Sequence, residues 1–304
     1  IAEIFDAPVE IADGPRSEVP RGGRLELVDV GFRFPEDDDW ALRHVNLSVE
    51  PGETVALVGA TGSGKSVLTA LLSRLYDVTE GSIRIDGVDI RELSLPALRA
   101  AVATAFEDPT LFSMSVAENL RLGRPEASDD DLANAVDIAS AGFVHDLPFG
   151  LDTRIGEQGM SLSGGQRQRL SLARAIVADP AILVLDDTLS ALDVHTESAV
   201  TEALRTALRG VTGVVVAHRA STVLLADRVA LLEHGTITHV GRHAELLATV
   251  PRYRYLLSAG DELDDGCERA EPWEADKDWR RAQLEEVMAD DEYRLARTPR
   301  REHR

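Results

Sequence analysis

The segment that most constrains the fold is a glycine-rich loop at residues 59–66, which fits the pattern G-x-x-x-x-G-K-[ST]. Its residues are Gly59, Ala60, Thr61, Gly62, Ser63, Gly64, Lys65 and Ser66. In this pattern, successive backbone N–H groups surround phosphate oxygens. An apolar run at 54–58 leads into the loop, and an apolar, helix-competent run at 67–72 leads out of it. This context predicts a phosphate-binding strand–loop–helix unit rather than an ordinary glycine-rich turn.

The residue types of the loop indicate what each position contributes. The glycines allow a tight turn whose amides point inward, and the N-terminus of the following helix adds partial positive charge. Lys65 is expected to reach the β- and γ-phosphates of a nucleotide, and Ser66 to offer its hydroxyl to Mg²⁺.

Composition and charge narrow the class of protein. The 304 residues are 44% hydrophobic and 28% charged, which suits one large globular domain or two small ones. No segment reaches the roughly 20 apolar residues of a membrane helix, and no signal peptide is visible. The single Cys267 cannot form an internal disulfide, which indicates a reducing compartment. The net charge of −21 disfavours general binding to nucleic acid. Because the chain begins at Ile1 and not at Met, we expect a piece of a longer protein.

The pattern of apolar residues predicts alternating strands and helices. Strands are expected at 24–34, 41–50, 54–58, 82–85, 88–90, 100–106, 182–185, 213–217, 227–233 and 236–240. Helices are expected at 67–72, directly after the loop, and over much of 113–150. Further helices are expected at 162–178, 196–208 and 245–257. Residues 1–23 are interrupted by Pro and Gly and are expected to form a connector. The charged tail at 259–304 is expected to be disordered or partly helical.

Several further motifs follow the loop in a fixed order. Leu162, Ser163, Gly164, Gly165 and Gln166 come first, and an apolar strand at 182–185 then leads to Asp186. The sequence 190–193 reads Ser-Ala-Leu-Asp, and a strand ends at His218. This succession resembles the ATP-binding cassette (ABC) ATPases, whose signature motif is LSGGQ, over about 25–257. The resemblance implies an α/β fold, with a P-loop ATPase core, an antiparallel β subdomain and an α-helical signature subdomain at about 113–178. The ATPase domain is expected to span 24–258.

The resemblance also implies a role for each matching residue around ATP. Asp186 would hold Mg²⁺, directly or through water, together with Ser66. Phe34 would stack on the adenine, although plain core packing of this ring is the alternative. His218 matches the histidine that contacts the γ-phosphate. The glycine-rich loop from Gly59 through Thr61, Gly62, Ser63 and Gly64 would bind the phosphates.

The resemblance further implies a second, partner ATPase domain. The signature residues 162–166 would close over ATP that is bound to this partner, in a head-to-tail sandwich. Glycines and a hydroxyl at a helix start can do this through backbone donation and the helix dipole. Asp193 would lie in the loop that contacts the partner across the sandwich.

Two residues depart from the family pattern. The residue after the strand aspartate is normally Glu and polarises the attacking water, but here it is Asp187, whose reach is roughly 1.5 Å shorter. A misplacement of about 1 Å in a catalytic group can cost about 100-fold in rate. The Q-loop residue is normally Gln, but here it is Glu107, whose charge would either tighten the metal or repel phosphate. Asp187, Glu107 and His218 are the candidate catalytic residues, and Glu107 is also a candidate metal ligand.

These departures predict an asymmetric assembly. Both lie in the ATP site that the chain's own glycine-rich loop forms, whereas the signature motif, which serves the partner's ATP, is intact. The chain's own site would bind Mg-ATP and hydrolyse it slowly. Its signature would complete the competent site of a different domain, in a heterodimeric or internally fused protein.

Three further segments narrow the resemblance to exporters. Residues 153–159 resemble the loop that exporter ATPase domains use to contact transmembrane coupling helices. Residues 4–8 resemble the segment that leaves the last membrane helix, and 107–112 with 118–120 resemble the exporter Q-loop region. The resemblance thus implies coupling of ATP binding and hydrolysis to export, through a transmembrane domain in the same polypeptide, at the cytoplasmic face of the cell membrane.

Other functions stay open at this point. A soluble ABC ATPase that acts on nucleic acid or ribosomes usually carries basic surfaces or coiled-coil insertions, and neither is visible here. An ATP-sensing regulatory half without turnover differs only in whether Asp187 supports hydrolysis. An importer ATPase is disfavoured by the exporter-like 153–159 segment. The sequence does not name a transported substrate.

Overall fold

A computed structural model of the chain describes residues 11–35, 37–156, 162–187 and 194–262. The strands are β1 (Leu25–Phe32), β2 (Leu42–Val49), β3 (Thr54–Val58), β4 (Glu80–Ile85), β5 (Val88–Asp89), β6 (Val102–Ala105), β7 (Ile182–Asp186), β8 (Thr212–Val216), β9 (Arg228–Glu233) and β10 (Thr236–Gly241). The helices are α1 (Lys65–Leu72), α2 (Leu95–Ala101), α3 (Val116–Arg121), α4 (Asp129–Ile138), α5 (Gly164–Val177), α6 (Val194–Ala207), α7 (Ala220–Val223), α8 (His243–Thr249) and α9 (Pro251–Glu262). Short 3₁₀ turns occupy Ile90–Glu92, Gly142–Asp146 and Gly150–Asp152.

The smaller sheet is antiparallel and has the strand order β2-β1-β4-β5. Its central strand, β1, pairs with β2 through Leu25 opposite Val49 and Leu27 opposite Leu47, all four of them buried. The register shifts between Leu27 and Val30, which marks a β-bulge. The alternation of buried and exposed residues in this sheet is that of a sheet with one face on the core.

The larger sheet has the order β10-β9-β3-β8-β7-β6, and its strands are parallel except for the edge strand β10. Strands β3, β7 and β8 are buried along their whole length, as parallel strands covered on both faces are. In the ladder, Leu57 and Asp186 both pair with Val216 of β8. The carboxyl ends of β3, β7 and β8 therefore lie side by side at one edge of the sheet.

Helices α3, α4 and α5 form a helical part whose core is shared with α6 and β7. All three helices begin with a capping box, in which Ser115, Ser128 and Ser163 accept from the amide three residues on. Each cap exchanges two hydrogen bonds at a helix start, which fixes where the helix begins. The expectation of an α/β core with an antiparallel β part and a helical part is confirmed.

Two local expectations were wrong. A single closing helix at 245–257 is instead α8 and α9, because Pro251 has no amide proton to continue the first helix and is well suited to start the second. The second of these helices runs to Glu262. The expected strand at 100–106 is shortened to β6, because α2 occupies the residues before it. Within the described ranges, no helix has the length and apolar character needed to cross a membrane.

The described part of the connector, residues 11–23, packs along the turn before α2. The amide of Gly14 donates to the carbonyl of Leu93 at 3.1 Å, and that of Arg16 donates to Glu92 at 2.9 Å. In return, the amide of Ser94 donates to the carbonyl of Arg16 at 2.7 Å. The connector thus adds a short parallel bridge, Arg16 with Leu93, to the rest of the fold.

Side-chain hydrogen bonds also hold residues 11–23 against the fold. The buried Arg74 donates to the carbonyl of Ala12 at 3.0 Å while it pairs with Asp77 at 2.7 Å. Asp13 accepts from the amide of Leu95 at 2.6 Å, at the first turn of α2. A chain that leaves the domain at this point is held by backbone and side chains together.

The substitution Gly14→Val tests this docking. A Cβ at Gly14 would overlap the Glu92 carbonyl and lie 2.5 Å from the oxygen of Leu93, so the connector must leave its bridge. We expect faster hydrogen exchange in peptides that cover 11–17 and 90–95, measured by mass spectrometry. Gly142→Ala is the control, because a Cβ there meets nothing within 4 Å. Unchanged exchange in Gly14→Val would contradict the docking.

Candidate nucleotide-binding site

The glycine-rich loop lies between the carboxyl end of β3 and the start of α1, as the sequence predicts. Lys65, the first residue of α1, is buried, and its Nζ donates to the carbonyls of Gly59 at 2.7 Å and Ala60 at 2.9 Å. The amide of Ser63 donates to the carbonyl of Ala60 at 3.1 Å. The ammonium group therefore lies inside its own loop, where the sequence predicts that phosphate oxygens bind.

Two glycines of the loop are required by close approach. A Cβ on Gly59 would overlap the carbonyl of Leu232 on β9 and come within 2.6 Å of Ser63 Oγ. Gly64 has a φ of 105° and would place a Cβ 2.7 Å from the side chain of Leu42. A residue with a side chain at either position would force the loop off the sheet. Gly62 also has positive φ but faces open space, as do the exposed Thr61 and Ser66.

Asp186 ends β7 and is almost fully buried. Its Oδ2 accepts a hydrogen bond of 2.9 Å from the hydroxyl of Thr69 on α1. Within the part of the chain that the structure describes, its Oδ1 and the buried Oγ of Ser63 have no hydrogen-bond partner. Buried polar atoms normally have partners, so these two mark where a ligand completes the site.

This donor set fits Mg²⁺ that arrives with a nucleotide. A carboxylate oxygen and a hydroxyl are ligands that Mg²⁺ accepts, and the remaining positions are usually filled by phosphate and water. Among the described residues, no group of three or more His, Cys, Asp and Glu is arranged to hold a metal. Asp186 and Ser66 would supply protein ligands, and phosphate and water would fill the other positions.

The charges of the site act on one another. Burial lowers the pKa of Lys65, and the carboxylates of Asp186, Asp187 and Glu107 oppose that change. These three acidic groups thus share one electrostatic environment with the lysine. Glu107 itself follows β6 and is exposed.

Asp187 and His218 follow the ends of the adjacent strands β7 and β8. Asp187 has a φ of 44°, in the left-handed region that Asp tolerates better than most residues. Burial raises its pKa, with the charges of Glu107 and Asp186 adding to the effect and His218 opposing it. Partial burial lowers the pKa of His218, and the charge of Lys65 adds to that shift. The two groups are thus biased toward their neutral forms, while the mutual attraction of their charged forms opposes this.

Phe34 lies just after β1, in an aromatic cluster with Phe32 and Tyr76. Its ring meets both of them edge to face, with centroid distances of 5.0 Å and 5.7 Å. The ring is half-buried, so part of it is open to solvent. The role of Phe34 in stacking on a base stays a prediction.

The signature residues lie at the start of α5, apart in sequence from the loop. Ser163 caps the helix: its Oγ accepts from the amide of Gln166 at 3.2 Å, and Gln166 Oε1 accepts from the amide of Ser163 at 2.9 Å. Leu162 is buried in the core of the helical part, and its carbonyl accepts from Arg167 at 2.8 Å. Gly164 and Gly165 form the first turn, where amides have no partner within the helix.

Some predicted positions lie outside the described residues. Asp193 and residues 157–159 of the exporter-like segment are among them. Sequence reasoning also missed one residue of the site, because Thr69 was read as part of an apolar helix run. The sequence shows a hydroxyl on the helix that follows Lys65 but no sign of its contact with Asp186, and the complete burial of Thr69 is visible only in the structure.

The substitution Gly59→Ala tests the loop. Overpacking a close contact costs about 1–3 kcal/mol, so we expect the affinity for Mg-ADP to fall by roughly tenfold or more. Isothermal titration calorimetry measures this affinity. Gly156→Ala is the control, because a Cβ there meets nothing within 4 Å, and it should bind normally. Equal affinities of the two variants would contradict the assigned role of the loop.

The lowered pKa of His218 predicts a pH dependence of stability. The unfolded chain takes up a proton near pH 6.5, whereas folded His218 does so at a lower pH. The free energy of unfolding should therefore fall as the pH drops through 6.5, because the unfolded state then binds more protons. His218→Gln should flatten this fall in urea unfolding curves measured at pH 8 and pH 5.5. A steeper fall in the variant would show that the folded imidazole gains rather than loses basicity.

The sequence of the chain is similar to those of known proteins. The family model described as "ABC transporter" matches residues 42–190. An ATP-dependent lipid A-core flippase of Alkalilimnicola ehrlichii is 46% identical over 251 residues, which are 81% of this chain and 42% of that protein. A Staphylococcus aureus protein that bears the name of a multidrug export ATP-binding/permease protein is 41% identical over 261 residues, 85% of this chain and 45% of that protein.

A solved structure agrees in fold. The bacterial Atm1-family ABC exporter with ATP bound has a TM-score of 0.78 and 34% sequence identity, over 88% of this chain and 46% of that chain. The chain thus spans less than half the length of each of these relatives. The family model, the relatives and the shared fold together show that the chain belongs to the ABC transporter family, as its ATP-binding domain.

Proposed function

We propose that the chain is the motor domain of a membrane exporter, which binds Mg-ATP and couples its binding and hydrolysis to transport. The observation that carries this proposal is the buried, unpartnered Oδ1 of Asp186 beside a loop that holds a buried ammonium group. A buried carboxylate oxygen and a buried ammonium are costly unless a ligand of matching charge completes them. A triphosphate with Mg²⁺ supplies both complements.

The residues of the loop bind and orient the nucleotide. The amides of residues 59–66 and the N-terminus of α1 point their partial positive charge at the phosphates. Lys65 exchanges its bonds with loop carbonyls for phosphate oxygens, and burial makes that charge pairing strong. Ser66 and Asp186 would hold Mg²⁺, which when bound neutralises charge on the β- and γ-phosphates.

The groups beyond β7 and β8 would act on the attacking water. Asp187 is the candidate that polarises this water, and His218 is the candidate that contacts the γ-phosphate. The lowered pKa of His218 favours its neutral imidazole before nucleotide binds, and a neutral imidazole can accept a hydrogen bond as well as donate one. Glu107 adds a further negative charge to the same environment.

The signature helix would serve a second ATPase domain. Leu162 packs in the core of the helical part, whereas Leu68 and Leu71 of α1 pack in the other main core cluster. The two motifs thus belong to different parts of the domain, which supports the view that they bind two different nucleotides. The amides of Gly164 and Gly165, which have no acceptor within the helix, would donate to the γ-phosphate of the partner's ATP.

The asymmetry of this pair follows from Asp187. Its shorter side chain weakens it as a group that polarises water, whereas the signature motif has every expected residue. The second domain is therefore proposed to be non-identical and to carry the competent site. The whole protein would carry its transmembrane domain in the same polypeptide, at the cytoplasmic face of the membrane, as the length and names of the relatives suggest.

The surface around the Q-loop supports contact with that transmembrane domain. Phe112 and Phe149 are 48% and 75% exposed, which is unusual for phenylalanine. The segment after Phe149 pairs with the start of α3, where Val116 donates its amide to Thr153 and Ile155 donates to Met114. Exposed aromatic rings on such a paired, ordered segment are typical of a protein contact.

The reach of Asp187 can be tested by lengthening it. Asp187→Glu should raise ATP hydrolysis by this chain, by up to about 100-fold if a misplacement of about 1 Å is the limit. Asp187→Asn, which has the same length and no charge, is the matched control and should not raise it. The measurement is phosphate release under multiple-turnover conditions. In this assay a second copy of the chain supplies the intact signature motif that closes over the ATP.

The assembled transporter gives the complementary outcome. Asp187→Asn should leave most of its ATPase activity, whereas loss of the partner's equivalent carboxylate should abolish turnover. If Asp187→Asn removed the activity of the assembly, the slow-site assignment would be wrong while the ATP-binding role would stand.

A further inference from the structure

Thr69 is a fully buried polar residue on α1, the helix that begins with Lys65. Its neighbours Leu68, Leu71 and Leu72 are buried apolar side chains. The hydroxyl of Thr69 lies 2.9 Å from Oδ2 of Asp186 and 2.9 Å from the backbone carbonyl of Ser66. A polar group in such surroundings is retained only where its hydrogen bonds are made.

This contact makes the two oxygens of the Asp186 carboxylate unequal. A hydroxyl has one proton, and an ionised carboxylate is a stronger acceptor than a backbone carbonyl. Oδ2 is therefore engaged by Thr69, while Oδ1 has no partner within the described residues. One oxygen of the pair is fixed and the other is left for a ligand.

The position of Thr69 is itself constrained. A threonine in a helix has few rotamers, and one of them lets its hydroxyl reach the carbonyl of an earlier turn, as it does here to Ser66. The carbonyl of Thr69 accepts from Ser73 at 3.2 Å, and the hydroxyls of Ser73 and Thr104 lie 2.6 Å apart. These bonds join α1 to the strands β6 and β7 on which Glu107 and Asp186 depend.

From these contacts we infer that Thr69 is a positioning residue for the metal-binding carboxylate. Its hydroxyl holds Oδ2 of Asp186, so that Oδ1 stays available to the Mg²⁺ that accompanies the nucleotide. This inference rests on the proposed function, since it assumes that Mg-nucleotide binds here. Groups that orient a ligand of a metal typically change metal affinity by about 10- to 100-fold when they are removed.

The test is the Mg²⁺ dependence of ADP binding by the 304-residue chain. ADP is used because it is not hydrolysed and because its binding does not need the signature motif of a partner domain. Thr69→Val keeps the shape of the side chain and removes its hydroxyl. We expect the Mg²⁺ concentration at half-maximal enhancement of ADP binding to rise by about 10- to 100-fold. Binding of ADP in EDTA should not change.

Thr69→Ser is the conservative variant and should restore the Mg²⁺ midpoint, because it keeps the hydroxyl. Should Thr69→Val fold poorly, Thr69→Ser and Thr69→Ala form a second pair, which differs by one oxygen atom. Their Mg²⁺ midpoints should then differ in the same direction.

Two results would overturn the inference. One is an Mg²⁺ midpoint that Thr69→Val leaves unchanged. The other is an equal loss of ADP affinity with and without Mg²⁺, which a merely structural role would produce. If the unaltered chain binds no ADP in the presence of Mg²⁺, the proposed function fails and the inference fails with it.

Discussion

The burial of one ammonium group is the constraint on which the rest of the site depends. Lys65 is the first residue of α1 and lies under a loop whose carbonyls it binds. Burial lowers its pKa, and three carboxylates oppose that effect only in part. A buried cation in this position needs anions nearby, and Asp186 at the end of β7 and Glu107 in the Q-loop segment supply negative charge. The positions of the loop, β7 and the Q-loop segment therefore depend on one another. The chemistry of the site follows from meeting that need with phosphate.

Parallel pairing brings these groups together. Thr54 pairs with Gly213 and Ile182 with Thr212, so that β3, β8 and β7 are in register and end at the same level. Because each strand is buried along its whole length, a shift would place polar residues in the core. The loop, Asp186 and His218 are far apart in sequence, but the sheet leaves them adjacent. Ligands of open α/β sheets bind at this edge for the same reason.

Much of this arrangement can be predicted from sequence, because local patterns specify it. The glycine-rich loop, the apolar strand before Asp186 and the capping box at Ser163 each carry their own signal within a few residues. What escaped prediction depends on tertiary contacts. Thr69 gives no local sign that its hydroxyl meets Asp186, and α2 has too short a pattern to separate from the strand that follows it. The break before Pro251 was visible in the sequence, but the apolar periodicity on both sides obscured it.

Asp187 shows why a single substitution can have more than one physical effect. Its φ of 44° lies in the left-handed region, which costs a residue with a side chain roughly 1–2 kcal/mol and is tolerated best by Asn and Asp. A glutamate at this position would regain reach but would adopt that backbone less readily. The raised pKa adds a third effect, since a more basic carboxylate accepts a proton from water more readily. Side-chain length, backbone conformation and ionisation all bear on the same residue, and only the first is visible in the sequence. The slow hydrolysis proposed for this site therefore rests on where the carboxylate of Asp187 lies, which its backbone conformation and its missing methylene set together.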